Sequence, residues 1–176
     1  MFSEVGDSAL VILVPEAEPI VGEWRASLDP AAAEGMPAHV TVLYPFIPAP
    51  QIDDDVLDDI RHMCQRHKPI VVKFSAVDEF PSVVWLDPGS NECTRLLEDA
   101  RVTWPDQLPY GRSDLKVVPH LTITDGADAN DAERAKASVR KQLPFMARIE
   151  SLALMAYDGS EWVIEQQFAF GPHAPH

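Results

Sequence analysis

Two tripeptides in this 176-residue chain share one pattern, His39-Val40-Thr41 and His120-Leu121-Thr122, each followed by a branched apolar residue, Val42 or Ile123. Side chains alternate between the two faces of a β-strand. A His and a Thr two positions apart therefore share one face, while the branched residues between them turn into a core. Each tripeptide offers one imidazole and one hydroxyl. Two such strands brought together offer two of each, a set suited to phosphate esters. A neutral imidazole takes a proton, a charged one gives a proton, and hydroxyls donate to phosphate oxygens. His39, His120, Thr41 and Thr122 are the candidate catalytic residues.

Other residues near these motifs are candidates for holding a substrate. Lys116 lies four positions before His120 and shares its face if the strand stays regular past Pro119. Tyr110 and Arg112 belong to a polar loop that runs toward the second motif. Tyr44, Phe46 and Trp85 have aromatic faces able to stack a base, with core packing as the competing role. No metal role is expected. Zinc needs three or four convergent His, Cys or carboxylate ligands, whereas each strand here supplies one His and one Thr. A serine triad is not expected, since no GxSxG elbow is present. No cofactor is expected either; the GxGxxG and P-loop patterns of dinucleotide and triphosphate sites are absent.

The elements that must position these groups follow from periodicity. Ala9–Val14 reads as an apolar strand, and Ile20, Val21, Trp24 and Leu28 recur at helical spacing, predicting a helix over 17–28. The Ala-, Pro- and Gly-rich Asp29–Ala38 reads as a loop, and His39–Tyr44 as a strand. A helix with an acidic start at Asp53–Asp55 and a β-branched strand over Ile70–Val77 follow. The order then recurs: a strand at Val83–Leu86, a helix through Cys93 to Ala100 capped by Ser90 or Asn91, a loop at Pro105–Asp114, a strand over Leu115–Thr124 interrupted at Pro119, and a helix through Ala132 to Leu143. Strands at Ala147–Tyr157 and Glu161–Phe170 close as a hairpin around Asp158-Gly159-Ser160. The two motifs lie 81 residues apart, His39 to His120, with flanking elements offset alike. That is an internal repeat, with halves near 9–80 and 81–171 and a frayed tail over 172–176. Two copies of one unit paired about a pseudo-twofold axis would set the motif strands opposite each other across a groove.

Composition narrows the function. The chain carries 14 Lys and Arg against 28 Asp and Glu, a net charge of -14. A protein that tracks many phosphates along a duplex needs a basic stripe, so long duplex nucleic acid is excluded as a partner. A phosphate-bearing partner should be small, or be met at one end. No apolar run is long enough to cross a bilayer, and the start of the chain reads as a first strand rather than a secretory signal. Cys64 and Cys93, without CxxC spacing, are expected as buried free thiols in a cytoplasmic monomer.

Taken together, AHVTVLYPF, VVKFSAVDEFPSVVWLDP, VPHLTIT and GSEWVIEQQFAFG resemble the two-histidine phosphoesterase superfamily, and within it the branch of 2'-5' RNA ligase-like proteins. The resemblance spans roughly 9–171. It implies an α+β fold, a single bilobal domain over 1–176 built from a duplicated β-α-β-α-β unit, with antiparallel sheets lining a central cleft. It also implies metal-independent phosphodiester chemistry on 2',3'-cyclic phosphates or 2'-5' linkages of small nucleotides or RNA ends. His39, Thr41, His120 and Thr122 match the motif position by position. Many relatives place a basic residue soon after the second motif, where this chain has Thr124-Asp125-Gly126. Hydrolysis by His39 as acid and His120 as base is the expected reaction. The alternatives are 2'-5' RNA ligation at RNA or tRNA ends, and a module that binds nucleotides or RNA ends without chemistry.

Overall fold

Seven strands form one antiparallel sheet and two more form a separate antiparallel pair. The computed structural model describes residues 3–113 and 116–171. Its elements in chain order are β1 (Ser8–Leu13), α1 (Glu18–Leu28), α2 (Pro30–Ala33), β2 (His39–Leu43), α3 (Asp54–Gln65), β3 (Ile70–Phe74), β4 (Ala76–Phe80), β5 (Val83–Asp87), α4 (Asn91–Thr103), β6 (Leu121–Asp125), α5 (Ala129–Arg140), β7 (Phe145–Ile149), β8 (Ser151–Tyr157) and β9 (Trp162–Ala169). No helix among the described residues is long and apolar enough to cross a membrane.

The large sheet runs β4-β5-β6-β2-β1-β8-β9 and the small one is β3-β7. Exchanging β1, β2, β3 and β4 with β5, β6, β7 and β8 leaves every pairing among those eight strands unchanged. β2 meets β6 at the centre, with Val40 opposite Leu121. Each motif strand has its outer neighbour, β1 or β5, and each of those neighbours pairs with a strand from the other half. The halves are thus interleaved in one sheet, and the two motifs sit at its middle.

Local sequence explains the elements. Ser8 to Ile12 of β1 are all buried, as expected of an apolar strand covered on both faces. The helices that pack behind the sheet start at side-chain caps. Asp53 accepts from the Val56 N–H, Ser90 from the Cys93 N–H and Asp128 from the Asp131 N–H, at 3.0, 3.2 and 2.9 Å. Cys93, Leu96, Leu97 and Ala100 form the buried face of α4, and Ile60, Met63 and Cys64 that of α3.

Four expectations are corrected. The loop Asp29–Ala38 contains the short helix α2, because Asp29 caps the Ala31 N–H at 3.1 Å and Pro30 supplies the first helical position. The strand expected over Ile70–Val77 is two strands in two sheets, and so is Ala147–Tyr157, the switches falling at Ser75 and Glu150. β6 begins at Leu121, so the run from Lys116 to His120 is not strand. The other end of that expected strand, Leu115, lies outside the described residues, as do the tail 172–176 and its His173 and His176.

One irregularity recurs at the sheet centre. Between β1 and β2, Leu10 pairs with Leu43 and Val11 with Thr41, leaving Val42 unpaired. Between β5 and β6, Val84 pairs with Thr124 and Trp85 with Thr122, leaving Ile123 unpaired. Each motif strand therefore bulges at the residue just after its motif Thr. A bulge puts two residues against one and re-aims whatever follows. Val42 and Leu43 both join the core, and Ile123 and Thr124 are both fully buried.

Candidate functional site

The cavity lies on the sheet face opposite the main core. Val40, Val42, Leu121 and Ile123 point into that core, which leaves the alternate positions for the other face. Ala9 and Val11 of β1, His39 and Thr41 of β2 and Thr122 of β6 line a cavity of about 280 Å³. Asp29, Ala31 and Met36, from α2 and the turns that flank it, close one side, and Tyr44, Tyr110 and Trp162 form an aromatic wall. Tyr44 and Asp125 line the cavity three positions after Thr41 and Thr122. In an unbroken strand those positions would face the core, so the bulges put them here.

The two imidazoles are held alike. His39 Nδ1 lies 2.7 Å from the Pro37 carbonyl oxygen, and His120 Nδ1 lies 2.7 Å from that of Val118. A carbonyl only accepts, so each Nδ1 carries a proton, and in the neutral ring Nε2 keeps its lone pair. The antiparallel pairing of Val40 with Leu121 carries His39 toward Thr122 and Thr41 toward His120. His120 is not among the residues lining the cavity. Its ring stands just before β6, half-buried against Phe80 and Trp85, with centroid separations of 5.3 and 5.8 Å.

The surroundings of the rings differ. Burial, the nearby Arg25 guanidinium and, more weakly, His120 lower the His39 pKa to about 4, against a smaller opposing effect of the Pro37 hydrogen bond. Burial lowers that of His120 also, and its Val118 hydrogen bond works the other way. The net charge of -14 favours charged rings, and the loss of water around them outweighs it.

Arg25 and Asp29 were not singled out by sequence. Arg25 on α1 is 2% exposed. Its Nη2 lies 3.0 Å from Asp29 Oδ2 and donates to the Met36 carbonyl at 3.1 Å. This fixes α1, the cap of α2 and the approach to β2 around one cation. Burial raises the Asp29 carboxyl, and Arg25 and the Ala31 N–H pull partly back. The i,i+4 spacing of Arg25 and Asp29 and the Asp-Pro start of α2 are the signals that would have found the pair.

The other candidates divide. Tyr110 reaches the cavity. Its N–H donates to the Tyr44 carbonyl at 2.7 Å, and its φ of 52° is left-handed. Burial raises its phenol, the nearby Thr41 hydroxyl lowers it and Asp125 raises it further. Tyr44 stands edge-on to both Tyr110 and Trp162, 6.3 and 6.1 Å between centroids. Phe46 does not reach the cavity; it is 3% exposed and packs edge-on against Trp104 at 5.0 Å. Lys116 and Arg112 are exposed and do not line the cavity. No group of three or more His, Cys, Asp or Glu among the described residues is placed to hold a metal ion.

Known proteins are similar to the chain over most of its length. The family described as the 2'-5' RNA ligase superfamily matches residues 13–161. A protein of Shouchella clausii (strain KSM-K16), provisionally named a phosphoesterase, is 25% identical over 138 residues, 76% of this chain and 80% of that protein. The crystal structure of E. coli LigT complexed with 3'-AMP superposes with a TM-score of 0.64 at 16% identity, covering 96% of this chain and 100% of that one. TT0787 of Thermus thermophilus gives a TM-score of 0.59 at 17% identity, covering 95% and 100%. The match to the family over 13–161 carries both histidine motifs, and the chain belongs to the 2'-5' RNA ligase superfamily of two-histidine phosphoesterases.

Proposed function

We propose that this protein is a phosphodiesterase that hydrolyses 2',3'-cyclic phosphates of small nucleotides or RNA ends by paired histidine acid–base catalysis, with no metal in the step. The observation that carries this reading is the meeting of His39, Thr41 and Thr122 around one cavity, with His120, just before β6, held by the same kind of backbone hydrogen bond as His39. LigT has been crystallised with 3'-AMP, NADP+ and ATP, which supports a small nucleotide as the partner here.

The roles of the rings follow from their neighbours. Arg25 beside His39 favours the neutral ring, so His39 Nε2 takes the proton of the attacking water. His120 has aromatic rings rather than a cation against it, and a phosphodiester anion arriving between the two favours its protonated form. His120 then gives its proton to the departing ribose oxygen. A bond from water oxygen to phosphorus forms, one phosphorus–ribose bond breaks, and the product is a phosphomonoester beside a free hydroxyl. Thr41 and Thr122 hydroxyls donate to the non-bridging oxygens. This reverses the roles expected from sequence, because sequence did not place Arg25.

The test is a product assay with a panel of 2',3'-cyclic nucleotides, a 2'-5' dinucleotide and an RNA ending in a cyclic phosphate, with EDTA present. His39→Ala and His120→Ala should each lower turnover by about a hundred to ten-thousandfold, the contribution of a positioned acid or base. Wild-type turnover by both variants would reject the mechanism. Joining of RNA ends without hydrolysis would favour the ligase reading instead. The charge of -14 weighs against that reading, since long RNA needs basic tracks outside the groove.

A further inference from the structure

The cavity has an electrostatic character that acid–base chemistry alone does not require. Asp29, Glu34 and Asp125 line it, and no Lys or Arg among the described residues does. Two of the three carboxylates are engaged. Asp29 is paired with Arg25, and Glu34 accepts from the Ser3 N–H and hydroxyl at 3.2 and 2.5 Å. Asp125 takes part in no ion pair among the described residues. The bulge at Ile123 turns it to the cavity. Its field crosses the site, raising both the Tyr110 phenol and the Asp29 carboxyl.

Taking the cavity as a phosphodiester site, as proposed above, we infer that Asp125 is a specificity-determining residue. It makes the site accept phosphodiesters with one negative charge, nucleoside 2',3'-cyclic phosphates without a further phosphate, and turn away phosphomonoester dianions. A cyclic diester carries one charge at any pH near neutrality. A phosphomonoester carries between about one and a half and two, its second pKa lying near 6. Repulsion by a fixed carboxylate therefore rises as the ester ring opens. In a partly solvated cavity the extra charge is worth on the order of tenfold in affinity. Hydrolysis converts the favoured ligand into the disfavoured one, so the same carboxylate speeds departure of product.

The experiment measures binding of 2',3'-cyclic AMP and of 3'-AMP at pH 7.5 by calorimetry, in a His120→Ala protein that turns neither over. The cyclic ligand should bind on the order of tenfold more tightly, and adding Asp125→Asn should bring the ratio close to one. Asp125→Ser is measured beside it, so that a defect peculiar to one replacement is recognised. Equal affinities before Asp125 is changed, or a ratio indifferent to both replacements, would overturn the inference. Binding of neither ligand would overturn it together with the proposed function. Failure of wild-type protein to turn over any cyclic phosphate, with the binding ratio as expected, would remove the catalytic reading and leave Asp125 as the selector of a binding site.

Discussion

If the fold holds His39 neutral, it must lose stability when acid forces the unfolded chain to charge that ring. The unfolded ring has an ordinary pKa of 6.5 and the folded ring one of about 4. Between those values the unfolded chain binds more protons, so stability falls as pH falls from 6.5 and stops falling below the folded value. Integrating the two titrations, this residue contributes under about 0.1 kcal/mol of pH dependence at pH 7.5 and about 2.5 kcal/mol of lost stability at pH 4.5. Many carboxylates and His120 titrate nearby, so the slope of one protein alone decides nothing. His39→Asn isolates the ring. Its amide N–H still donates to the Pro37 carbonyl, and it does not titrate. Urea unfolding of both proteins at pH 7.5 and 4.5 should show the wild type losing about 2.5 kcal/mol more than His39→Asn, a difference in which the shared background cancels. If both lose the same amount, the ring is not held neutral by its surroundings. Its assignment as the base then fails with it.

Two further outcomes follow from burial. Arg25→Met leaves the Asp29 carboxylate and the Met36 carbonyl without their buried partner and should cost about 3–5 kcal/mol in denaturant unfolding, with part regained by adding Asp29→Leu. Arg134→Ala, which breaks the exposed pair with Asp131, should stay within about 0.5 kcal/mol; comparable losses for the two would contradict the role given to Arg25. Cys64 and Cys93 are buried free thiols, and burial pushes Cys64 up to about 12. Both should resist a thiol reagent in native protein at pH 8 and react fully in urea; rapid labelling of the native chain would show that α3 and α4 open readily.

The motif residues were readable from sequence because a strand obeys one rule, alternation, and His39, Thr41 and Thr122 follow it. The same rule explains what was missed. It is silent on where a strand leaves one sheet for another. Ile70–Val77 and Ala147–Tyr157 each read as single strands although the chain changes partners at Ser75 and Glu150. It also fails after a bulge. Leu43 and Thr124 were on the motif face by count, yet both are buried, while Tyr44 and Asp125 took the cavity. α2 read as a loop because four residues are too few for periodicity to register. Its cap, Asp29, was visible as a residue type, but its pairing with Arg25 depends on where α1 ends. Tyr110 reaches the site through a backbone bond to Tyr44, and no side-chain pattern announces that.

The repeated bulge separates what keeps this domain folded from what tunes its chemistry. Up to the unpaired position, alternate residues are locked into the main core on one face and line the cavity on the other. Two positions beyond it stand Tyr44 and Asp125, which line the cavity and lie outside the main core. A lineage can therefore recharge the pocket by exchanging one side chain without disturbing the frame, whereas losing a single residue at Val42 or Ile123 would swap lining for core along the remainder of the strand. Among such proteins, ligand preference should drift faster than architecture, and insertions or deletions there should be rarer than replacements.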